Sequence, residues 1–267
     1  MSSKTCDHHV FCLLPRTRHF ARMGICVLVS LIAALSAGII DPNQALYAFL
    51  GGGLLVPNQY GSRPSIFAFV ALLSPMASFC FLFSDHFTAG LEQDASFVIP
   101  RLVSRDAWTL GRLAQLVIFS ASFAFLGRLA SAIGLVALGC NVELSELLGV
   151  SFADALLGFA LSLLLVLVTN CLAIKTDSIV AFSIVFAVHA AALVGVGNMP
   201  YEMSRAVAPW LLSTQGVLAW HDCSGWTMGF GNGVAGFSVG ASLVCLSMGV
   251  VLIAWLIIRL VRTWDVL

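Results

Sequence analysis

The sequence contains very little charge. Only 10% of its 267 residues are Asp, Glu, Lys or Arg, whereas 60% are hydrophobic, and the mean hydropathy is +0.99. A soluble domain carries about a quarter charged residues, so this composition excludes an ordinary soluble protein. The 13 basic and 13 acidic residues cancel to a net charge of zero. Because phosphate recognition needs a clustered basic excess, a nucleic-acid partner is excluded as well.

The sequence also lacks the motifs of soluble enzymes. It has no glycine-rich nucleotide loop, no HExxH metal pair, no GxSxG elbow, no CxxC pair and no Cys/His cluster. We therefore predict no catalytic residue, no bound cofactor and no metal site on this chain, which is not expected to be an enzyme. Of the eight cysteines, Cys140 and Cys223 fall in segments predicted to lie outside the membrane, and whether they form a disulfide stays open.

Long apolar runs are what the sequence does contain. A helix that crosses about 30 Å of hydrocarbon needs about 20 apolar residues. Six stretches fit that length, at residues 23–40, 65–83, 108–127, 152–174, 179–197 and 234–258, and the third has an apolar continuation to Leu138. They predict an all-α integral membrane protein with a single domain of six transmembrane helices. A signal peptide is the alternative for the first stretch, but its length of 18 residues favours a retained span.

The basic residues predict the orientation of these helices, because Lys and Arg accumulate on the cytoplasmic side. With both termini inside, three basic residues fall outside or near the outer face, namely Arg63, Arg128 and Arg205. The other ten fall inside: Lys4, Arg16, Arg18, Arg22, Arg101, Arg105, Arg112, Lys175, Arg259 and Arg262. Both termini and residues 84–107 are therefore predicted to be cytoplasmic, and residues 198–233 extracytoplasmic.

Several residues inside the predicted spans have either a packing or a functional interpretation. Asp154, Asn170 and His189 are polar groups within apolar runs. An ionisable group at membrane depth indicates function by default, although Asp154 also suits the outer interface at a helix start. His189 can serve as a proton or ligand site, or stay neutral and bind a neighbouring helix. Gly236 and Gly240 form a GxxxG pair that predicts close helix packing.

The connection after the second span is acidic in its first half and basic and aromatic in its second. The second half contains Pro100, Arg101, Arg105, Asp106 and Trp108. Arg101 and Arg105 are four residues apart and would share one face of a helix along the inner surface. An ordinary cytoplasmic anchor is the alternative interpretation.

This connection resembles that of the permease subunits of bacterial ABC-2-type transporters, in particular the small six-span permeases of peptide and bacteriocin export or self-protection. In that family an acidic stretch precedes a phrase like Pro-Arg-x-x-Ser-Arg-x-x-Trp, and PRLVSRDAW occupies residues 100–108 here. The outer segments DPNQALYAFLGG at 41–52 and PWLLSTQGVLAWH at 209–221 fit the same topology. One departure is Arg112, where many members have a Lys soon after the Trp.

The resemblance implies a multi-pass protein of a bacterial cell membrane that hydrolyses no ATP itself. ATP would be used through a cytoplasmic ABC ATPase subunit, and the chain would pair with a second copy or a second permease among the membrane lipids. Residues 84–107 would then be the coupling connection, with Arg101, Arg105, Asp106 and Trp108 as its coupling candidates. The implied function is export of a peptide, lipid or drug-like substrate.

Two other classes of function stay open. A gradient-driven carrier or channel-like protein is expected to show internal repeats with broken helices, and the sequence shows no clear repeat. A membrane-embedded enzyme needs facing His, Asp, Glu or Cys side chains, and His189 has no evident partner in the sequence. An assembly factor belongs to this last group.

The apolar piece at 206–220 is too short to span, which predicts a re-entrant or surface helix pair.

Overall fold

The structure is a computed structural model, and it describes residues 17–40, 66–94, 105–139, 143–222 and 233–263. All regular structure within these ranges is helical. The α-helices are α1 (Thr17–Ile40), α2 (Ile66–Leu82), α3 (Thr88–Asp94), α4 (Arg105–Ala137), α5 (Leu144–Ala173), α6 (Ser178–Asn198), α7 (Tyr201–Val207), α8 (Leu212–Gln215) and α9 (Val239–Arg262). Short 3-10 turns at Ala208–Trp210 and Leu218–Trp220 flank α8.

Five of these helices are long and apolar enough to cross a membrane, namely α1, α4, α5, α6 and α9. The prediction of an all-helical fold is therefore confirmed for the described residues, and five candidate spans agree with a membrane protein. The remaining predicted span, at 65–83, corresponds to α2, which is apolar but has only 17 described helical residues. The count of six spans and the cytoplasmic position of both termini remain predictions.

Helix α5 is the centre of the bundle. Of its apolar stretch, 72% is buried, compared with 17% for α9, and it packs against α2, α4, α6 and α9. Inside a bilayer the surrounding lipid is as apolar as the side chains, so close packing and hydrogen bonds, more than burial itself, hold such helices together. A polar contact on α5 is consequently well placed to couple the surrounding helices.

Two helix boundaries differ from the predicted spans for identifiable reasons. Helix α4 continues past Gly127 to Ala137, along the apolar continuation of the third predicted span. Arg128 within it pairs with Asp154, with Nε and a carboxylate oxygen 2.5 Å apart. Helix α9 begins at Val239 instead of residue 234. Its start is delayed because Gly236 has a φ of +78°, which a continuing right-handed helix cannot contain.

Contacts between side chains and backbone show which helix ends lie together. The start of α1 contacts the turn after α2 through Arg22 and Asp85, and the end of α9 contacts the start of α4 through Arg262 and Asp106. The end of α5 joins the first group through Asn170. We call this side of the bundle the basic end. The side that carries residues 137–139, 143–144 and 201–222 is the opposite end.

Candidate functional site

The turn that follows α2 is fixed to the central helix by one buried amide. Asn170, which has no exposed surface, lies near the end of α5. Its Nδ2 donates to the carbonyl of Phe83 at 2.9 Å, and its Oδ1 accepts from the backbone N–H of Phe87 at 3.1 Å. Because both bonds are to backbone, Asn170 fixes the path of the chain between α2 and α3, and not merely one side chain.

A bidentate ion pair adds a second attachment to the same turn. Arg22 of α1 donates to both carboxylate oxygens of Asp85, at 2.7 and 3.0 Å. The two side chains are 23% and 32% exposed. Exposed pairs of this kind contribute about 0–1 kcal/mol, so this contact orients the turn more than it stabilises it.

Helix α3 packs closely on α4 through an arginine. The guanidinium of Arg112 lies 5.3 Å from the ring centroid of Trp108 and is buried. It also lies against Gly90 of α3, where an added Cβ would come within 2.6 Å of Nη2 of Arg112. Gly90 therefore permits the close approach of α3 to α4.

Two histidines fill the space under the turn. His19 and His86 are both buried, with ring centroids 5.6 Å apart, and both rings lie against Phe119. Burial lowers the pKa of His86 well below its usual 6.5, and the neighbouring Arg112 lowers it further. His86 is therefore a neutral imidazole near pH 7, which suits its aromatic surroundings.

The predicted coupling candidates do not share one environment. Arg105 opens α4, is exposed, and donates from Nη1 to the carbonyl of Arg262 at 3.2 Å. Asp106 forms an ion pair with Arg262 at 2.6 Å. Trp108 is instead only 4% exposed and meets the ring of Phe87 edge-on at 6.1 Å. Arg101 lies outside the described residues, as do Cys140 and Cys223.

At the opposite end, residues 201–222 turn back into the bundle, and we call them the re-entrant segment. Ala208, Thr214, Leu218 and His221 in this segment have no exposed surface. Gly216 contacts Leu161, near the middle of α5, so closely that a Cβ at this position would overlap the leucine side chain. The segment therefore penetrates well below the ends of the long helices.

A chain of hydrogen bonds fixes the re-entrant segment to α9. Nδ1 of His221 lies 3.0 Å from the carbonyl of Val217, so this nitrogen carries a proton, and Nε2 lies 2.7 Å from Oγ of Ser242. The Ser242 hydroxyl also contacts Oε1 of Gln215, whose Nε2 donates to the carbonyl of Pro209 at 2.6 Å. Burial lowers the pKa of His221 below its usual 6.5. This group was not predicted from the sequence. The available signal was a glutamine within the apolar piece at 206–220 and a histidine directly after it.

The intramembrane candidates Asp154 and His189 both have partners. Asp154 is 2% exposed and pairs with Arg128 of α4. Nδ1 of His189 lies 3.0 Å from the hydroxyl of Ser213 in the re-entrant segment. Two opposite charges in consecutive apolar helices could have suggested the first pair, whereas nothing in the sequence indicates the second.

Gly236 and Gly240 are not brought together on one helix face. Gly236 precedes α9, and its N–H donates to the carboxylate of Asp222 at 3.1 Å. Gly240 lies in the first turn of α9, and no atom lies within 4 Å of a Cβ built on it. Both residues are exposed, so neither packs against another helix in the described part of the chain.

The described residues contain no group of three or more His, Cys, Asp and Glu side chains that could hold a metal ion. What the polar groups do instead is attach elements to one another, at the basic end around Asn170 and at the opposite end around Ser242.

Compared with known proteins, the chain matches no protein-family model, no curated protein and no solved structure.

Proposed function

We propose that this protein is the membrane-spanning permease subunit of an ATP-driven ABC transporter of the ABC-2 type, an exporter of a peptide, lipid or drug-like substrate. The observation that carries the proposal is the attachment of the connection after α2 to the end of α5 through Asn170. A membrane subunit without its own ATPase needs a cytoplasmic element through which a partner can act on the bundle.

The attachment supplies a mechanical path from that connection to the helices. A force on α3 or on the turn at residues 83–87 reaches the buried Asn170, and thus α5, which packs against α2, α4, α6 and α9. The Arg112–Gly90 contact joins α3 to α4 as well. Closure of an ATPase dimer at this place would therefore bias several spans at once between inward-facing and outward-facing arrangements.

The distribution of charge supports a cytoplasmic position for the basic end, in a bacterial cell membrane. Arg18, Arg22, Arg105, Arg112 and Lys175 all lie near helix ends on this side. The basic residues would then follow the positive-inside rule, with both termini in the cytoplasm. The ATPase would bind here, and a second copy of this chain or a second permease would complete the membrane unit.

The first test is purification of the tagged protein in mild detergent, followed by mass spectrometry of the co-purifying chains and an ATPase assay. Recovery of a Walker-motif ATPase with vanadate-sensitive activity is the expected result. A preparation that contains neither an ATPase chain nor ATPase activity would refute the proposal.

Charge reversal then tests the coupling connection. Arg105 is exposed at the start of α4, and Arg101 lies four residues before it. We expect Arg101→Glu with Arg105→Glu to uncouple ATP hydrolysis from transport while insertion is unchanged. Lys175→Glu is the matched control, because Lys175 is an exposed cation at the same end but outside the connection. Substrate-stimulated hydrolysis that equals the wild-type rate in the double variant would contradict this role.

A gradient-driven carrier is the second candidate, and the buried pair of Asp154 and Arg128 is the observation that favours it. In a carrier, Asp154→Asn would abolish ion-dependent uptake into vesicles in the absence of ATP. In the permease proposed above, transport would require ATP and the partner chain whichever residue occupies position 154.

A further inference from the structure

Helix α9 carries an open apolar groove on the face turned away from the bundle. The groove runs from Leu243 to Trp255 as a shallow depression of about 670 Å³ that is open to the surroundings, and residues of α9 line it. Met248 and Val251 in its wall are 69% and 68% exposed, and Ser247 is its one polar lining residue. Only an apolar occupant can fill such a space without losing hydrogen bonds.

The length and position of the groove match one leaflet of a bilayer. The 12-residue step from Leu243 to Trp255 corresponds to about 18 Å along a helix. A hydrocarbon core is about 30 Å thick, so one leaflet is about half of that. Trp255 lies about two turns before the end of α9 at Arg262, on the side of the basic end, where aromatic residues are enriched near a membrane interface.

A cation lies at the interfacial end of the same face. The guanidinium of Arg259 stacks on the ring of Trp255 at 5.5 Å from its centroid, and Arg259 is exposed. Within the described residues it has no carboxylate partner. Arg262, one turn further along, differs because its charge is already paired with Asp106 at 2.6 Å. This guanidinium, unpaired within the part of the chain that the structure describes, complements a phosphate such as that of a phospholipid headgroup.

We propose that this face of α9 binds an anionic phospholipid, with one acyl chain in the groove and the phosphate on Arg259. Apolar lining alone would fit any lipid, whereas the positive charge of Arg259 selects a negatively charged headgroup. The proposal requires only that α9 spans a membrane, so it does not depend on the proposed transport function.

Tryptophan quenching by brominated acyl chains measures occupancy of this groove. The protein is reconstituted in phosphatidylcholine vesicles that contain a matched small fraction of brominated phosphatidylglycerol or brominated phosphatidylcholine. The Trp255 signal is obtained as the difference from Trp255→Phe. We expect brominated phosphatidylglycerol to be preferred at Trp255 by about fivefold, the factor that one cation near an anionic lipid supplies.

Arg259→Gln should remove this preference, and Arg262→Gln, the matched control, should leave it intact. If Arg259→Gln does not insert, the wild-type protein at high salt provides the same comparison, because screening should then reduce the preference. Equal quenching by the two lipids would overturn the proposal and leave ordinary lipid contact. Absence of Trp255 quenching by either lipid would also overturn it, since the groove would then be covered by protein, for example a second copy.

Discussion

The basic end and the opposite half of the bundle are held together by interactions of different exposure. At the basic end, the side chains of the Arg262–Asp106 pair are 61% and 40% exposed. In the opposite half, the side chains of the Arg128–Asp154 pair are 24% and 3% exposed, and Ser242 of the re-entrant attachment is fully buried. Exposed pairs contribute about 0–1 kcal/mol, whereas breaking a buried pair costs about 3–5 kcal/mol.

This difference in exposure indicates which half of the protein can rearrange at a low cost in free energy. In the opposite half, a rearrangement would leave buried polar groups without hydrogen-bond partners and without access to water. Any change of arrangement there therefore has a high cost in free energy. At the basic end, water can replace the partners in the ion pairs, whereas Asn170, Arg112 and Trp108 are buried there. In the transporter proposed above, this is the distribution expected if movement begins at the basic end and enters the bundle through Asn170.

The largest expected effect comes from the buried ion pair. Arg128→Leu leaves the carboxylate of Asp154 without its partner inside the protein, and we expect the free energy of unfolding to fall by about 3–5 kcal/mol. Thermal unfolding in detergent measures this loss. The double variant Arg128→Leu with Asp154→Leu should recover most of it, because both charges are then absent. If Arg128→Leu alone is as stable as the wild type, the ion pair of the opposite half does not hold the protein more firmly than the exposed pairs of the basic end.

The buried amide of Asn170 at the basic end gives the next largest effect. Asn170→Ala leaves the carbonyl of Phe83 and the N–H of Phe87 buried without this partner, and backbone groups cannot turn away. The carbonyl of Phe83 still accepts from the N–H of His86 at 3.3 Å, so the N–H of Phe87 is the group that loses its partner. We expect a loss of about 2–3 kcal/mol, measured by the same unfolding assay. Thr169→Ala is the control, since the buried hydroxyl of Thr169 bonds only to Leu165 within α5. Equal melting temperatures for the two variants would contradict the anchoring role.

A somewhat smaller loss is expected at the attachment of the re-entrant segment. Ser242→Ala removes the partner of His221 and Gln215, but both are side chains that can reorient, so we expect about 1–3 kcal/mol in total. Hydrogen exchange of residues 212–221 should accelerate together with this loss. Ser247→Ala, an exposed serine on the same helix, should change neither quantity. Unchanged exchange in Ser242→Ala would show that packing alone holds the segment.

The pH dependence of stability tests the neutral His86. Its pKa is lowered in the folded protein by burial, Arg112 and Arg18, so the unfolded chain takes up the proton first as the pH falls through 6.5. Its contribution to stability is therefore lost on acidification, by about 1 kcal/mol between pH 7.5 and 5.5. His86→Phe should lose correspondingly less stability over this interval. A difference between wild type and variant that does not change with pH would refute a neutral, buried His86.

The smallest effect is expected for the exposed pair at the basic end. Arg262→Ala removes the ion pair with Asp106, which we expect to lower the unfolding free energy by no more than about 1 kcal/mol. Increasing salt should weaken the wild-type protein toward the variant. A loss comparable to that of Arg128→Leu would show that the two ends are held equally firmly.

The sequence predicts the positions of the long helices because lipid requires about 20 apolar residues per span, and that requirement is local. It predicts the apolar continuation of α4 toward Leu138, but it does not predict that Asp154 of another helix pairs with Arg128 within that continuation. It does not predict the start of α9 either, because the GxxxG spacing at Gly236 suggested a helix where the backbone turns.

The same limit applies to the candidate site. Asn170 and His189 stand out in the sequence as polar residues in apolar runs, and each has a partner in the structure. The identity of those partners depends on how distant segments pack, which no local pattern contains. The attachment through Ser242 and His221 was missed for this reason, since a serine in a membrane helix is ordinary by itself.

The most direct test of the proposed function is photo-crosslinking in cells, with a photoreactive amino acid placed at Ala89 of α3 or at Met203 of α7. Ala89 is partly exposed on the connection at the basic end, and Met203 is 53% exposed at the opposite end. We predict a crosslink to a Walker-motif ATPase from position 89 and none from position 203. An ATPase crosslink from position 203, or none from either position, would contradict the account.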